Sequence, residues 1–327
     1  MSVLRLFGKA CLGTLACLVV QGTVHAAQPY PARELRLVVP FATGGAVDTL
    51  ARAVGQKLAE SLGRPVIIDN RAGAAGAIGS EAVARAPADG YTLLMGSTTT
   101  ISINPSLKLD LPYSPTRDFA PISLVAFVPH VLVVNPEVPA DSIQDFISYA
   151  KSRPVPMGFA SAGAGSPHHL AGEIFKSMTG VEMLHVPYKG TGPGLVDLMS
   201  GQVQFMSVEM VAALPQVRAG KVKALGVATG VRSEVAPELR TVAEAGLPGF
   251  EITSWYGLFA PAGTPPDIVA LLAEHVDRAL HTPQLRASLE KMGATPGGGT
   301  PKDFAAHIAR ENAKWAKAVA EAGVKIE

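Results

Sequence analysis

Cysteine is nearly absent from this 327-residue chain: there are two, Cys11 and Cys17, both within the first 26 residues. That stretch carries Arg5 and Lys9, an apolar run from Ala10 to Val20, and then Val24-His25-Ala26. The order is that of a secretory signal peptide spanning 1–26 and cut after Ala26. Thr14-Leu15-Ala16 lacks the branched apolar residue expected three places before a lipidated cysteine, so Cys17 is not read as a lipoprotein anchor. Cleavage leaves no thiol, which excludes a disulfide, a thiolate metal site and a cysteine nucleophile. Core burial alone must then stabilise the mature chain, and about 300 residues suffice for that in two domains.

Long hydrophobic runs are missing as well. The N-terminal one falls short of the ~20 residues a membrane helix needs, and nothing later is longer. Charge of one sign is also lacking: losing Arg5 and Lys9 takes the net charge from +1 to about −1. With 6% aromatic residues, this excludes nucleic acid or an anionic membrane as the partner.

The familiar catalytic signatures are missing too. Residues 73–79 read GAAGAIG and 163–168 read GAGSPH, and neither is the G-x-G-x-x-G of a dinucleotide fold. Ser161 and Ser166 lack the G-x-S-x-G flanks of a nucleophile elbow. There is no H-E-x-x-H. His168 and His169 are neighbours, about 100° apart on a helix, so one covers a cleft while the other packs. Asp48 opens a helix, where a carboxylate accepts N–H bonds, and Lys189 has no companion base. No catalytic residue, cofactor or metal follows from these residues.

What is present is a repeat. LRLVVP (35–40), a helix from Asp48 to Leu62, RPVIID (64–69), a helix from Ala77 to Ala86 and GYTLLMG (90–96) read as βαβαβ. VPMGFA (155–160), a helix from His168 to Met178, VEMLHVP (181–187), a helix from Leu195 to Ser200 and VQFMS (203–207) read the same way. Short apolar strands alternating with helices predict an α/β fold of parallel sheets flanked by helices, with ligands beyond the strands' carboxyl ends. The glycine-bearing loops FATGGAV (41–47), NRAGAAG (70–76), SAGAGSP (161–167) and YKGTGPG (188–194) lie at such ends. Glycine loops that lead into helices present N–H groups to anions. PISLVAFVPHVLVVNP (121–136) and FEITSWYGLFAPAG (250–263) read as crossings between the two domains. Three C-terminal helices each open on Thr-Pro, at Thr264, Thr282 and Thr300, where threonine is expected to cap. Phe304, Ile308, Trp315 and Val319 share one face of the last.

PFATGGAVDTLAR (40–52), VIIDNRAGAAGAIGS (66–80), ADGYTLLMGS (88–97), INPSL (103–107), RDFAPISLVA (117–126), FASAGAGSPHHLAGE (159–173), VPYKGTGPGLVDLMSGQVQFM (186–206) and LPQVRAGKVKALGV (214–227) together resemble the Bug family. These are periplasmic receptors of tripartite tricarboxylate transporters. The resemblance implies a two-lobed Venus-flytrap fold, with 27–128 plus 252–327 as lobe 1 and 129–251 as lobe 2. It implies a monomer that closes on a small organic carboxylate, held mainly by main-chain N–H groups, and passes it to integral-membrane permease subunits. The ligand-binding residues it implies in lobe 1 are Phe41, Ala42, Thr43, Gly44, Gly45, Asp48, Ser97 and Thr98. In lobe 2 they are Ser161, Gly165, Ser166, His168, Tyr188 and Lys189. Asn70 and Arg71 either brace their loop or touch the ligand.

Two positions depart from the family pattern. Ile101 stands where many relatives carry histidine. Val208 stands where amino-acid binders place an aspartate for the ligand's ammonium, with Glu209 beside it as the one possible substitute. A plain mono- or dicarboxylate, aromatic ones included, is therefore expected. The alternative functions are a sensor that feeds a membrane kinase and an exported hydrolase. Glycines 44 and 45 are expected to need positive φ or close ligand approach.

Overall fold

The computed structural model describes residues 30–107 and 110–322; the expected signal peptide lies outside them. The first repeat is β1 (Leu35–Val39), α1 (Ala46–Leu62), β2 (Val66–Asn70), α2 (Ala77–Ala84) and β3 (Thr92–Ser97). A π-helical turn (Thr98–Ile103) and the three-residue α3 (Asn104–Ser106) lead to β4 (Phe119–Val134). After α4 (Ile143–Ser152) the second repeat is β5 (Met157–Ser161), α5 (Pro167–Thr179), β6 (Met183–Pro187), α6 (Thr191–Met199) and β7 (Phe205–Glu209). Then come α7 (Met210–Arg218), β8 (Lys223–Val227), β9 (Thr253–Pro261), α8 (Pro266–Leu280), α9 (Pro283–Lys291), β10 (Thr295–Gly298) and α10 (Pro301–Ala322).

Local sequence explains the regular parts. In α1, Leu50, Val54 and Leu58 recur every four residues and are fully buried. The helix ends where Gly63 takes the left-handed conformation at φ 66°. Leu35, Leu37, Val38 and Val39 of β1 are buried on both faces, as a strand covered by helices requires.

The strand order is β2-β1-β3-β9-β4-β7-β5-β6. Each repeat forms a three-stranded parallel unit with its first strand in the middle: β2-β1-β3 at one end, β6-β5-β7 at the other. Between them run the two crossings, antiparallel to what they pair with. β4 is one unbroken strand that changes partner, from β9 through Pro129 to β7 and β8 from His130 onward. The protein therefore has two α/β lobes joined by strands. Each lobe has its own aromatic core: Trp255, Phe259 and Phe304 in the first, Phe146, Phe159, Phe175 and Phe205 in the second.

Two local expectations need correction. Only Thr300 caps its helix, accepting from the Asp303 N–H at 3.2 Å. The Thr264 and Thr282 hydroxyls donate backwards instead, to the Pro261 and Ala279 carbonyls. And α6 begins at Thr191, not Leu195, so Gly192, Pro193 and Gly194 are helical rather than loop. Proline is tolerated there because the first turn's N–H groups have no partner inside the helix.

Candidate functional site

The carboxyl ends of both parallel units meet around one cavity. Its first-lobe wall is Phe41, Gly45 and Val47 after β1, Ser97 at the end of β3, and Thr98 and Thr99 beyond it. Its second-lobe wall is Ala162, Pro167 and His168 after β5, Thr191 at the start of α6, and Glu209 ending β7. Ser254 and Tyr256 of β9 close the base.

Three helices start at this cavity: α1 from Gly45, α5 from Ser166 and α6 from Gly190. Opening N–H groups of a helix have no internal acceptor, and the helix end carries about half a positive charge. At Ser166 the hydroxyl accepts from the His169 N–H; Gly45 and Gly190 supply no side chain to do the same. The uncapped ends of α1 and α6 come from opposite lobes. Such helix ends stabilise an anion without lysine or arginine, and among the described residues neither lines the cavity.

The same loops form a seam where the lobes touch. The Ala42 N–H donates to the Lys189 carbonyl at 3.0 Å, so these two residues bond each other and do not line the cavity. Gly44 has φ +85°, which favours glycine, and lies outside the cavity lining. Gly45 has φ −91° and is not conformationally obligatory; a Cβ there would stand 3.2 Å from Thr191 Cβ across the seam. A Cβ on Gly192 would overlap the Thr43 carbonyl oxygen.

Other expected residues shape the loops from behind. Asp48 accepts from the Gly44 N–H at 3.1 Å, from Asn70 Nδ2 at 3.0 Å and from Arg52 Nε at 3.1 Å. Burial opposes ionisation of Asp48, but these donors outweigh it and hold the carboxyl below its usual range. Asn70 also donates to the Phe41 carbonyl, so it braces the loop, while Arg71 pairs with Asp69. Ser161 bonds His185 Nε2 at 2.6 Å and accepts from the Gly163 N–H. The Gly165 N–H donates to His169 Nδ1, and His169 stacks on His185 at 3.7 Å, turned from the cavity. Tyr188 donates to Asp197 at 2.7 Å. Ile101 is fully buried in the first-lobe aromatic core.

Of the expected residues, Phe41, Gly45, Ser97, Thr98, His168 and Glu209 line the cavity; Ala42, Thr43, Gly44, Asp48, Ser161, Gly165, Ser166, Tyr188 and Lys189 do not. Sequence reasoning missed Val47, Thr99, Ala162, Pro167, Thr191, Ser254 and Tyr256. The Thr191 signal was a Thr-Gly-Pro run that opens a helix; Ser254 and Tyr256 lay in a stretch read only as a crossing. Thr98 is there for packing as well: its hydroxyl accepts from the Trp255 N–H at 2.8 Å, which ties β3 to β9.

A buried polar cluster forms the second-lobe wall. Glu209 accepts from Tyr256 at 2.7 Å through one oxygen, and from His168 Nε2 at 2.9 Å and Thr191 at 3.1 Å through the other. Burial pushes its pKa up, yet His168 and then the Tyr256 hydroxyl outweigh this, and Glu209 stays ionised well below the usual carboxylate range. His130, His168 and Glu209 bring ligand atoms within 4.8 Å of one another. A metal there would have to displace satisfied hydrogen bonds, because His130 already bonds Ser207 at 2.9 Å and Ser254 at 2.8 Å.

Burial lowers the His130 pKa to about 3. The unfolded chain, with an ordinary value of about 6.5, then binds more protons than the native state between those values. His130 therefore costs nothing above about pH 6.5 and destabilises the native state progressively as pH falls. We expect the ligand-free protein to lose up to about 2 kcal/mol between pH 6.5 and 5 from this residue. Calorimetry of wild type and His130→Gln over that range checks it: a wild-type slope no steeper than the variant's contradicts the assignment.

The sequence profile of the tripartite tricarboxylate transporter family receptor (TctC) matches residues 50–324. The chain is 40% identical over 302 residues to Protein BugT of Bordetella pertussis, covering 92% of this chain and 93% of that one. Among solved structures it resembles R. palustris Rpa4515 with adipate at TM-score 0.88 and 40% identity, covering 90% of this chain and 99% of that. It resembles MatC from Rhodopseudomonas palustris with bound malate at TM-score 0.84 and 38% identity, covering 89% and 100%. With the profile spanning most of the chain and the likeness running nearly end to end, this protein belongs to the tripartite tricarboxylate transporter receptor family, the periplasmic solute-binding Bug proteins.

Proposed function

We propose that this receptor is exported by a cleavable signal peptide (1–26) and closes lobes 27–128 plus 252–327 and 129–251 on a small dicarboxylate. It then delivers that acid, unaltered and as a monomer, to integral-membrane permease subunits. The observation that carries this reading is the pair of uncapped helix starts, Gly45 and Gly190, set on opposite lobes around one cavity. Each N–H bond to a charged group contributes about 1.5–3 kcal/mol, so three or four account for most of the ~8 kcal/mol of micromolar binding. The adipate and malate that relatives carry are small dicarboxylates.

Glu209 supports a plain acid over an amino acid. Its oxygens already take three hydrogen bonds from this chain, which leaves it poorly placed for a ligand ammonium. The hydroxyls beside basic groups in the cavity wall are already engaged, Thr191 donating to Glu209 at 3.1 Å and Ser254 bonded to His130 at 2.8 Å, while Glu209 also accepts from His168, which favours holding over turnover.

Melting the protein with adipate, malate, benzoate, aspartate and glutamate tests the reading. An acid at about 100 times its Kd stabilises by about 2.7 kcal/mol, a rise of several degrees. Adipate or malate should produce that shift and be recovered unchanged. A shift with aspartate or glutamate alone, or consumption of the acid, would overturn the proposal.

A further inference from the structure

We propose that His168 is a proton-dependent ligand contact: its Nδ1 donates to the ligand's carboxylate from a protonated imidazole, so that binding takes up a proton. This rests on the carboxylate reading above and adds to it the atom and the charge state that recognise the acid.

His168 is 3% exposed, stands in the first turn of α5 and lines the cavity. Its Nε2 lies 2.9 Å from Glu209 Oε2. An ionised carboxylate only accepts, so Nε2 carries the proton of that bond. The other nitrogen, Nδ1, is buried without a partner. Buried polar atoms are nearly always satisfied, and for a residue that lines the cavity the missing partner is supplied by what the cavity holds.

The charges around the ring decide what the ligand presents. On β7 stands Glu209; on β4, His130, its ring centroid 4.9 Å from that of His168; on β9, Tyr256 and Ser254; on α6, Thr191. On α5 itself, His169 is engaged by the Gly165 N–H and Glu173 by Lys176. His130 is held neutral, with both ring nitrogens bonded to serines. The Tyr256 and Thr191 hydroxyls are spent on Glu209. The cavity wall thus contains one fixed negative charge and one group able to balance it.

A carboxylate arriving at a neutral His168 would meet the lone pair on Nδ1 and a second carboxylate behind it. Both contacts repel. Protonation turns Nδ1 into a donor, balances Glu209, and leaves the ligand's charge facing the ends of α1 and α6. Linkage then requires reciprocity: the acid promotes protonation, and protons promote binding.

Isothermal titration of the wild-type protein with adipate at pH 7.5, in phosphate and in Tris, reads the protons exchanged from the difference in apparent heat. We expect net uptake, approaching one proton per adipate, and affinity that tightens by up to about tenfold per pH unit from pH 8 to 6.5. His168→Asn, with its melting curve checked, should abolish both. Binding of adipate with no uptake, or with release, overturns the proposal and makes Nδ1 an acceptor for a ligand hydroxyl or acid proton. Absence of any heat with adipate and malate is a different result, which overturns the carboxylate reading together with this one.

Discussion

Gly192→Ala should leave the protein folded and weaken dicarboxylate binding by at least about 100-fold, a loss of about 2.7 kcal/mol. The position is inside α6, where alanine is the better helix former by about 1 kcal/mol, so the second lobe itself gains from the change. The new Cβ would instead meet the carbonyl of Thr43 on the other lobe, and the neighbouring backbone of Gly44. Those are main-chain atoms and have no rotamer to turn away. The clash exists only when the lobes are shut, so the open form is spared and the closed form is penalised. Circular dichroism should match wild type, titration with adipate should show the loss, and small-angle scattering should report an open shape with adipate present. Wild-type affinity in this variant would mean that the ligand-bound lobes do not meet along this seam. Gly45→Val should act in the same direction through Thr191, and Gly44→Ala less, because its cost is mainly the strain of φ +85°.

Asp48→Ala should lower the unfolding free energy by about 3 kcal/mol and weaken binding with it. The buried carboxylate takes hydrogen bonds from the Gly44 N–H and from Asn70, and Asn70 in turn holds the Phe41 carbonyl. Removing it leaves those donors unsatisfied at the rear of the loop that forms one cavity wall. The Arg52 contribution is small, because that side chain is half exposed. Asp48→Asn keeps an acceptor for Gly44 and should lose about half as much. Urea unfolding of the two variants decides it: a loss under about 1 kcal/mol for the alanine form would show that the loop holds its shape without this brace.

Much of the architecture was legible because parallel strands and their helices are local, periodic objects. Leu50, Val54 and Leu58 announce α1, and the apolar run of β1 announces a strand buried on both faces. The repeat is visible for the same reason. The site was legible only in outline. Ser161, Ser166 and Asp48 sit at the right loops, yet their polar atoms are spent on other groups of this chain, on His185 of β6, Gly163 and Gly44. Tyr256 and Thr191, which hold Glu209, are 47 and 18 residues from it in the chain and share no local pattern with it.

The amino-acid sequence alone determined that this chain is an α/β protein of two similar units, with glycine loops at the carboxyl ends of its strands. Those properties follow from periodicity and backbone freedom, which act over a few residues. Only the tertiary structure decided which loop residues line the cavity, which glycines form the seam between lobes, and that Glu209 is engaged by His168, Thr191 and Tyr256. Those depend on how two lobes meet, and a contact between distant segments is fixed by packing that no single stretch encodes.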